Sequence, residues 1–99
     1  DWLMKKKYTY PAIVADGYDG GRLWVANFPG LSGCWAEGPT REDVVSRGEE
    51  TLRLYIKSCL DAEWPLPEPT AAEELENANV GDVVLFSCEL EQTEENNPI

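Results

Sequence analysis

The chain has 99 residues, 42 % of them apolar, with 19 acidic and eight basic side chains, three cysteines and no histidine. That is one domain, long enough to bury roughly 60–65 % of the surface it exposes when unfolded, and its net charge of −11 argues against direct DNA or RNA binding. Without histidine no Ser/His/Asp or Cys/His catalytic arrangement can be built, and without a CxxC pair no zinc site is expected.

Strand one is read over residues 8–15, YTYPAIVA, which are aromatic and β-branched. Pro11 cannot donate to a ladder, so the neighbour on that side should start beyond it. Asp16-Gly17-Tyr18-Asp19-Gly20-Gly21 is a hairpin loop rich in residues that tolerate positive φ. Strand two, Arg22–Phe28, alternates, with Leu23 and Val25 on one face and Trp24, Ala26 and Phe28 on the other. Pro29-Gly30 breaks it, Gly33–Glu37 restarts as a short third strand, and Gly38-Pro39 ends that.

Thr40 stands at a helix N-cap, and the helix runs from Arg41 to about Asp61. Val44, Val45, Gly48, Leu52, Tyr55, Ile56, Cys59 and Leu60 form its apolar stripe, while Asp43–Arg47 and Glu49–Arg53 are i,i+4 pairs on the wet side. Gly48 costs about 1 kcal/mol relative to alanine, which close approach of the helix to the sheet would compensate. Trp64-Pro65-Leu66-Pro67-Glu68-Pro69 is a stiff extended connector. Thr70 is expected to cap a short second helix, with Glu73 completing a capping box. In the last strand, Val80–Leu90, Val84, Phe86, Cys88 and Leu90 face one way and Val83 and Leu85 the other. Residues 1–90 then form the domain and Glu91–Ile99 a polar, disordered tail. Met4-Lys5-Lys6-Lys7 reads like a natural start, with Asp1-Trp2-Leu3 as an extension.

The order β-β-β-α-α-β predicts an α+β fold with a four-stranded mixed sheet, strand order 3-2-1-4, helices on one face and the fourth strand parallel to the first. Cys34, Cys59 and Cys88 lie on three different elements and are expected as buried, reduced thiols. No signal peptide and no run of about 18 apolar residues is present, so a soluble cytoplasmic protein without membrane contact is the default. Charge is uneven: residues 1–57 carry eight acidic and eight basic side chains, residues 58–99 eleven acidic and none basic. That second half would speed encounter with a basic protein, or simply solubilise the chain.

NFPGLSGCWAEGPTRED, preceded by YTYPAIV and followed by LRLYIKSCLDAEWPLPEPT, resembles the HicB-like antitoxin family from Tyr8 to about Leu90. The resemblance implies a partial ribonuclease-H-like domain without nuclease activity. It also implies the antitoxin role in a type II toxin–antitoxin pair. The partner would be a small basic HicA-like toxin that cleaves messenger RNA and is inhibited by occlusion of its active site. Many such antitoxins add a C-terminal DNA-binding module. Only nine residues follow Leu90, so that module and its autorepression are not expected from this chain. Trp64 stands where the family usually has a turn residue.

Two other functional classes compete with a partner-binding inhibitor. A metal-dependent nuclease would need carboxylates on strand one, the first helix and strand four; Asp16, Glu49 or Glu50, and Glu89 lie near those elements, but the middle of strand one, Ala12-Ile13-Val14, has none. The other is an oligomeric scaffold or small-ligand-binding domain without a toxin partner. The expected protein is therefore no enzyme and has no cofactor. Its candidate partner-binding residues are Trp24 and Phe28, which alternation places away from the helix if Leu23 and Val25 face it, Trp35, and the acidic Glu73, Glu74 and Glu76. Apolar residues on both faces of strands two and four further predict a homodimer burying Trp24 and Phe28.

Overall fold

The computed structural model describes residues 3–93, and in it glycine turns fold the first half of the chain into a meander. Strand β1 (Leu3–Tyr18) extends well before Tyr8, because its lysine-rich start also pairs with residues 89–93 of the last strand. Gly17, Gly20 and Gly21 take positive φ (112°, 66° and 84°) around the turn, a region glycine enters without a Cβ clash. Strand β2 (Leu23–Asn27) pairs antiparallel with β1 only from Ile13 onward, so Pro11 lies outside that ladder. Strand β3 (Trp35–Gly38) completes the meander with Trp35 opposite Asn27.

Helix α1 (Arg41–Asp61) begins as its sequence dictates, the Asp43 N–H donating to Thr40 Oγ1 at 3.1 Å. Val44, Gly48, Leu52, Ile56 and Cys59 are buried beneath it, with Val45, Tyr55 and Leu60 packed alongside. The expected Asp43–Arg47 and Glu49–Arg53 pairs do not form. Arg47 Nη1 donates instead to the Glu37 carbonyl at 2.8 Å, tying α1 to β3. Among the described residues the ion pairs are Lys57–Asp61 at 2.8 Å and Arg41–Asp82 at 3.9 Å, both exposed and therefore weak.

The sheet order is β3-β2-β1-β4, as the sequence predicts, but strand β4 (Asp82–Thr93) runs antiparallel to β1 and the sheet is antiparallel throughout, not mixed. The reason is a second return of the chain. α1 starts beside the start of β4, where Arg41 meets Asp82, and lays Gly48 on Phe86, so helix and strand run the same way. The connector and helix α2 (Ala72–Ala78) then carry the chain back. The eight residues 64–71, extended at about 3.1 Å each, and the seven of α2 at about 1.5 Å suffice to span the length of about 31 Å that α1 covers. A parallel β4 would need no such return.

The second correction concerns the faces. Cross-strand partners share a face, and the register places Tyr8, Tyr10, Ala12 and Val14 with Cys88, Phe86 and Val84, and with Ala26, on the side under α1. Trp24 and Phe28 alternate onto that same side, opposite to the expected placement. Phe28 is 1 % exposed and meets Phe86 edge to face at 5.1 Å, while Trp24 is half-buried against the core. The other side carries buried Pro11, half-buried Ile13, Val25 and Val83, and exposed Trp35 and Leu85. Two smaller expectations also change. Ala71, not Thr70, precedes α2, without a side-chain cap, because Thr70 Oγ1 donates to the Pro29 carbonyl at 3.3 Å. Glu91–Thr93 belong to β4 instead of a tail, while residues 94–99 lie outside the described ones. Leu75 of α2 is buried, but outside the cluster that α1 covers.

Candidate functional site

The residues expected to meet a partner end up in three environments. Phe28 belongs to the core and has no surface to offer, while Trp24 is half-buried against that core. Trp35 is 52 % exposed on the side of the sheet away from α1. Glu73, Glu74 and Glu76 are all exposed on α2, Glu73 and Glu74 in its first turn, where the helix dipole favours negative charge. They continue an acidic run of exposed side chains that starts at Asp61 and includes Glu63 and Glu68. Trp35 and the acidic run stand on different elements, β3 on one hand and the end of α1, the connector and α2 on the other.

The connector inside that run is pinned at two points. Tyr10 Oη donates to the Pro67 carbonyl at 2.6 Å, and Thr70 Oγ1 to that of Pro29. Beside its start lies an open groove of about 430 Å³, formed by the Ser32–Cys34 turn and by Thr51, Leu54, Tyr55 and Ser58 of α1, with Trp64 at the edge. Leu54 and Trp64 are 52 % and 67 % exposed. Sequence reasoning missed Leu54, and the available signal was an apolar residue off the helix stripe. Burial pushes the Cys34 thiol up to about 11, with Cys59 nearby adding to it, and burial likewise raises Cys59 and Tyr55. The groove floor is therefore uncharged at neutral pH. All three cysteines are free and buried.

The carboxylates a nuclease would need are dispersed. Glu49 and Glu50 are exposed on α1, Glu89 points from the sheet side facing away from α1, and Asp16 is exposed near the hairpin. Among the described residues no group of three or more His, Cys, Asp or Glu side chains could hold a metal ion. No helix among them is long and apolar enough to cross a membrane.

Residues 10–95 match the family described as the HicB-like antitoxin of bacterial toxin–antitoxin systems. This chain belongs to that family. The HicB-like chain is 33 % identical over 64 residues to a UPF0150 protein of Synechocystis sp., covering 65 % of the chain and 78 % of that relative. It is 31 % identical over 64 residues to a UPF0150 protein of Thermoplasma acidophilum, covering 65 % of the chain and 90 % of that relative. Its fold is similar to a chain of the HicA3 and HicB3 toxin–antitoxin complex, with a TM-score of 0.56, 21 % identity, and coverage of 81 % of this chain and 94 % of the other. At that identity the likeness speaks for the fold.

Proposed function

We propose that this HicB-like chain is an antitoxin that binds and inhibits a small basic, messenger-RNA-cleaving toxin of the HicA kind, without catalysis of its own. The observation that carries this reading is the exposed acidic run from Asp61 through Glu63, Glu68, Glu73, Glu74 and Glu76, in the half of the chain that has no basic residue. Such a surface accelerates encounter with a cationic protein and repels nucleic acid. Membership of the antitoxin family supports the same reading. Self-association belongs to it too, but through another face than the sequence indicated: Phe28 is buried in the core and Trp24 lies half-buried against it under α1, while Trp35 and Leu85 are exposed apolar side chains on the side away from α1.

The decisive experiment co-expresses the chain with a small basic protein encoded beside it. A stable complex and suppressed cleavage of messenger RNA are expected. Growth arrest by that protein, undiminished by this chain and with no complex at low salt, would sink the reading.

A further inference from the structure

We infer that the groove between the Ser32–Cys34 turn and the second half of α1 receives an apolar side chain borne on a basic surface of the partner protein, with Leu54 and Trp64 as its walls. The inference rests on the antitoxin reading and names the contact through which the complex is held.

Leu54 and Trp64 are two large apolar side chains left more than half exposed beside one concavity of about 430 Å³. Exposed apolar residues scattered singly need no explanation, but two that line one concavity above a buried, uncharged floor do. Buried Cys34 and Cys59 and half-buried Tyr55 line it there, neutral thiols and a phenol whose pKa values burial raises further.

A second feature fixes Trp64 where it stands. The Glu63 N–H donates to the Leu60 carbonyl at 3.1 Å and the Trp64 N–H to that of Cys59 at 2.9 Å, the pair of bonds that closes a helix in a Schellman motif. That motif places its penultimate residue in the left-handed region, a position glycine normally fills. Here Glu63 takes it, at φ 58°. A charged residue strained into that position, directly before an exposed tryptophan, is the kind of outlier that accompanies binding surfaces.

Charge selects the occupant. Lys57, the cation one turn after Leu54, is already matched by Asp61 at 2.8 Å. Glu50, one turn before Leu54, and Glu63, adjacent to Trp64, meet no cation within ion-pair distance among the described residues. An isologous contact with a second copy about the groove would bring these carboxylates against their own kind, whereas lysine or arginine side chains flanking the inserted residue would match them. Buried aromatic anchors with a polar surround carry most of the energy in such contacts.

The test measures toxin binding and release for the intact chain and for Trp64→Ser and Leu54→Ser, both at exposed positions. The thermal unfolding midpoints should match that of the parent chain. Each substitution should shorten the lifetime of the complex by about tenfold or more, with little change in association rate. If the parent chain binds no toxin, the antitoxin reading itself fails. If it binds and both variants release toxin at the parent rate, the groove proposal alone is overturned. Toxin-free light scattering that shows a dimer abolished by Trp64→Ser would also overturn it, in favour of a second copy as occupant.

Discussion

Gly48 lies so close to Phe86 that a Cβ on the helix would stand 2.7 Å from the ring's Cε2 atom. The missing side chain is what lets α1 settle on the sheet, and Phe86 in turn carries the edge of Phe28. Gly48→Ala sets two effects against each other. Helix propensity gains about 1 kcal/mol, while overpacking a filled core costs about 1–3 kcal/mol. Because the atoms crowded are those of a fully buried ring, packing wins. Urea unfolding should show a net loss of up to about 2 kcal/mol; an increase in stability would mean that the helix stands further off the sheet.

Phe28→Ala should destabilise by about 3–5 kcal/mol, the range for emptying an aromatic site in a core. Trp35→Ala, at a half-exposed position, should change stability of the isolated chain by less than about 1 kcal/mol. Equal costs for the two in chemical denaturation would contradict the placement of Phe28 under α1.

That pair also marks how far the sequence is informative. The start and stripe of α1, the role of Gly48 and the order of the strands follow from local chemistry: a threonine cap, spacing at 3.6 residues, turns at glycines. Which face of β2 lies under the helix does not, because Leu23 and Val25 are as apolar as Trp24 and Phe28 and alternation alone has no sign. The choice is made by volume, since the ring of Phe28 fills the space beside Phe86. The direction of β4 depends on whether the proline-rich connector spans the whole height of the sheet, a tertiary fact. Thr70 is a fair cap candidate by pattern, yet the Pro29 carbonyl takes its hydroxyl. For the candidate site, the acidic run is plain in composition. The groove is not, because Leu54 and Trp64 meet the Ser32–Cys34 turn only once the chain has folded.

Tyr10→Phe removes the hydroxyl that holds the connector through the Pro67 carbonyl at 2.6 Å. Loss of about 1 kcal/mol is expected for a hydrogen bond of this kind. The distinguishing readout is local. The backbone amides of Leu66 and Glu68 should exchange with deuterium faster in the variant under native conditions. An unchanged exchange rate would show that proline stiffness alone positions the connector.

Alkaline pH should weaken the fold below the point where any surface group explains it. An ordinary thiol titrates near about 8.5, and burial holds that of Cys34 up at about 11. The folded state therefore binds its proton more tightly than the unfolded state does. The associated stability is complete below the unfolded value and is lost as pH rises through the folded one. Buried Cys59, Cys88 and Tyr10 shift in the same direction. Urea midpoints should fall progressively above about pH 8.5, and Cys34→Ala, though less stable at neutral pH, should show a shallower fall. At neutral pH a thiol reagent should react slowly with the native chain and fully after unfolding. Fast stoichiometric labelling of the native protein would refute the burial of all three cysteines.

The acidic run should govern how fast the partner arrives, and the groove how long it stays. Glu73, Glu74 and Glu76 lie on one short exposed helix, so their fields add over roughly a Debye length, about 8 Å at physiological ionic strength. Replacing all three by glutamine keeps side-chain size and removes only charge. Since Glu73 and Glu74 also favour the positive end of the α2 dipole, an unfolding curve must first show that the variant is still folded. Given that, association with the toxin at low salt should slow by about an order of magnitude, and its dependence on ionic strength should flatten. The dissociation rate should barely move, because exposed charges acting at a distance mainly set the rate of encounter. Association that ignores salt in the parent chain, or a triple variant that alters release instead of capture, would remove the acidic run from the recognition surface.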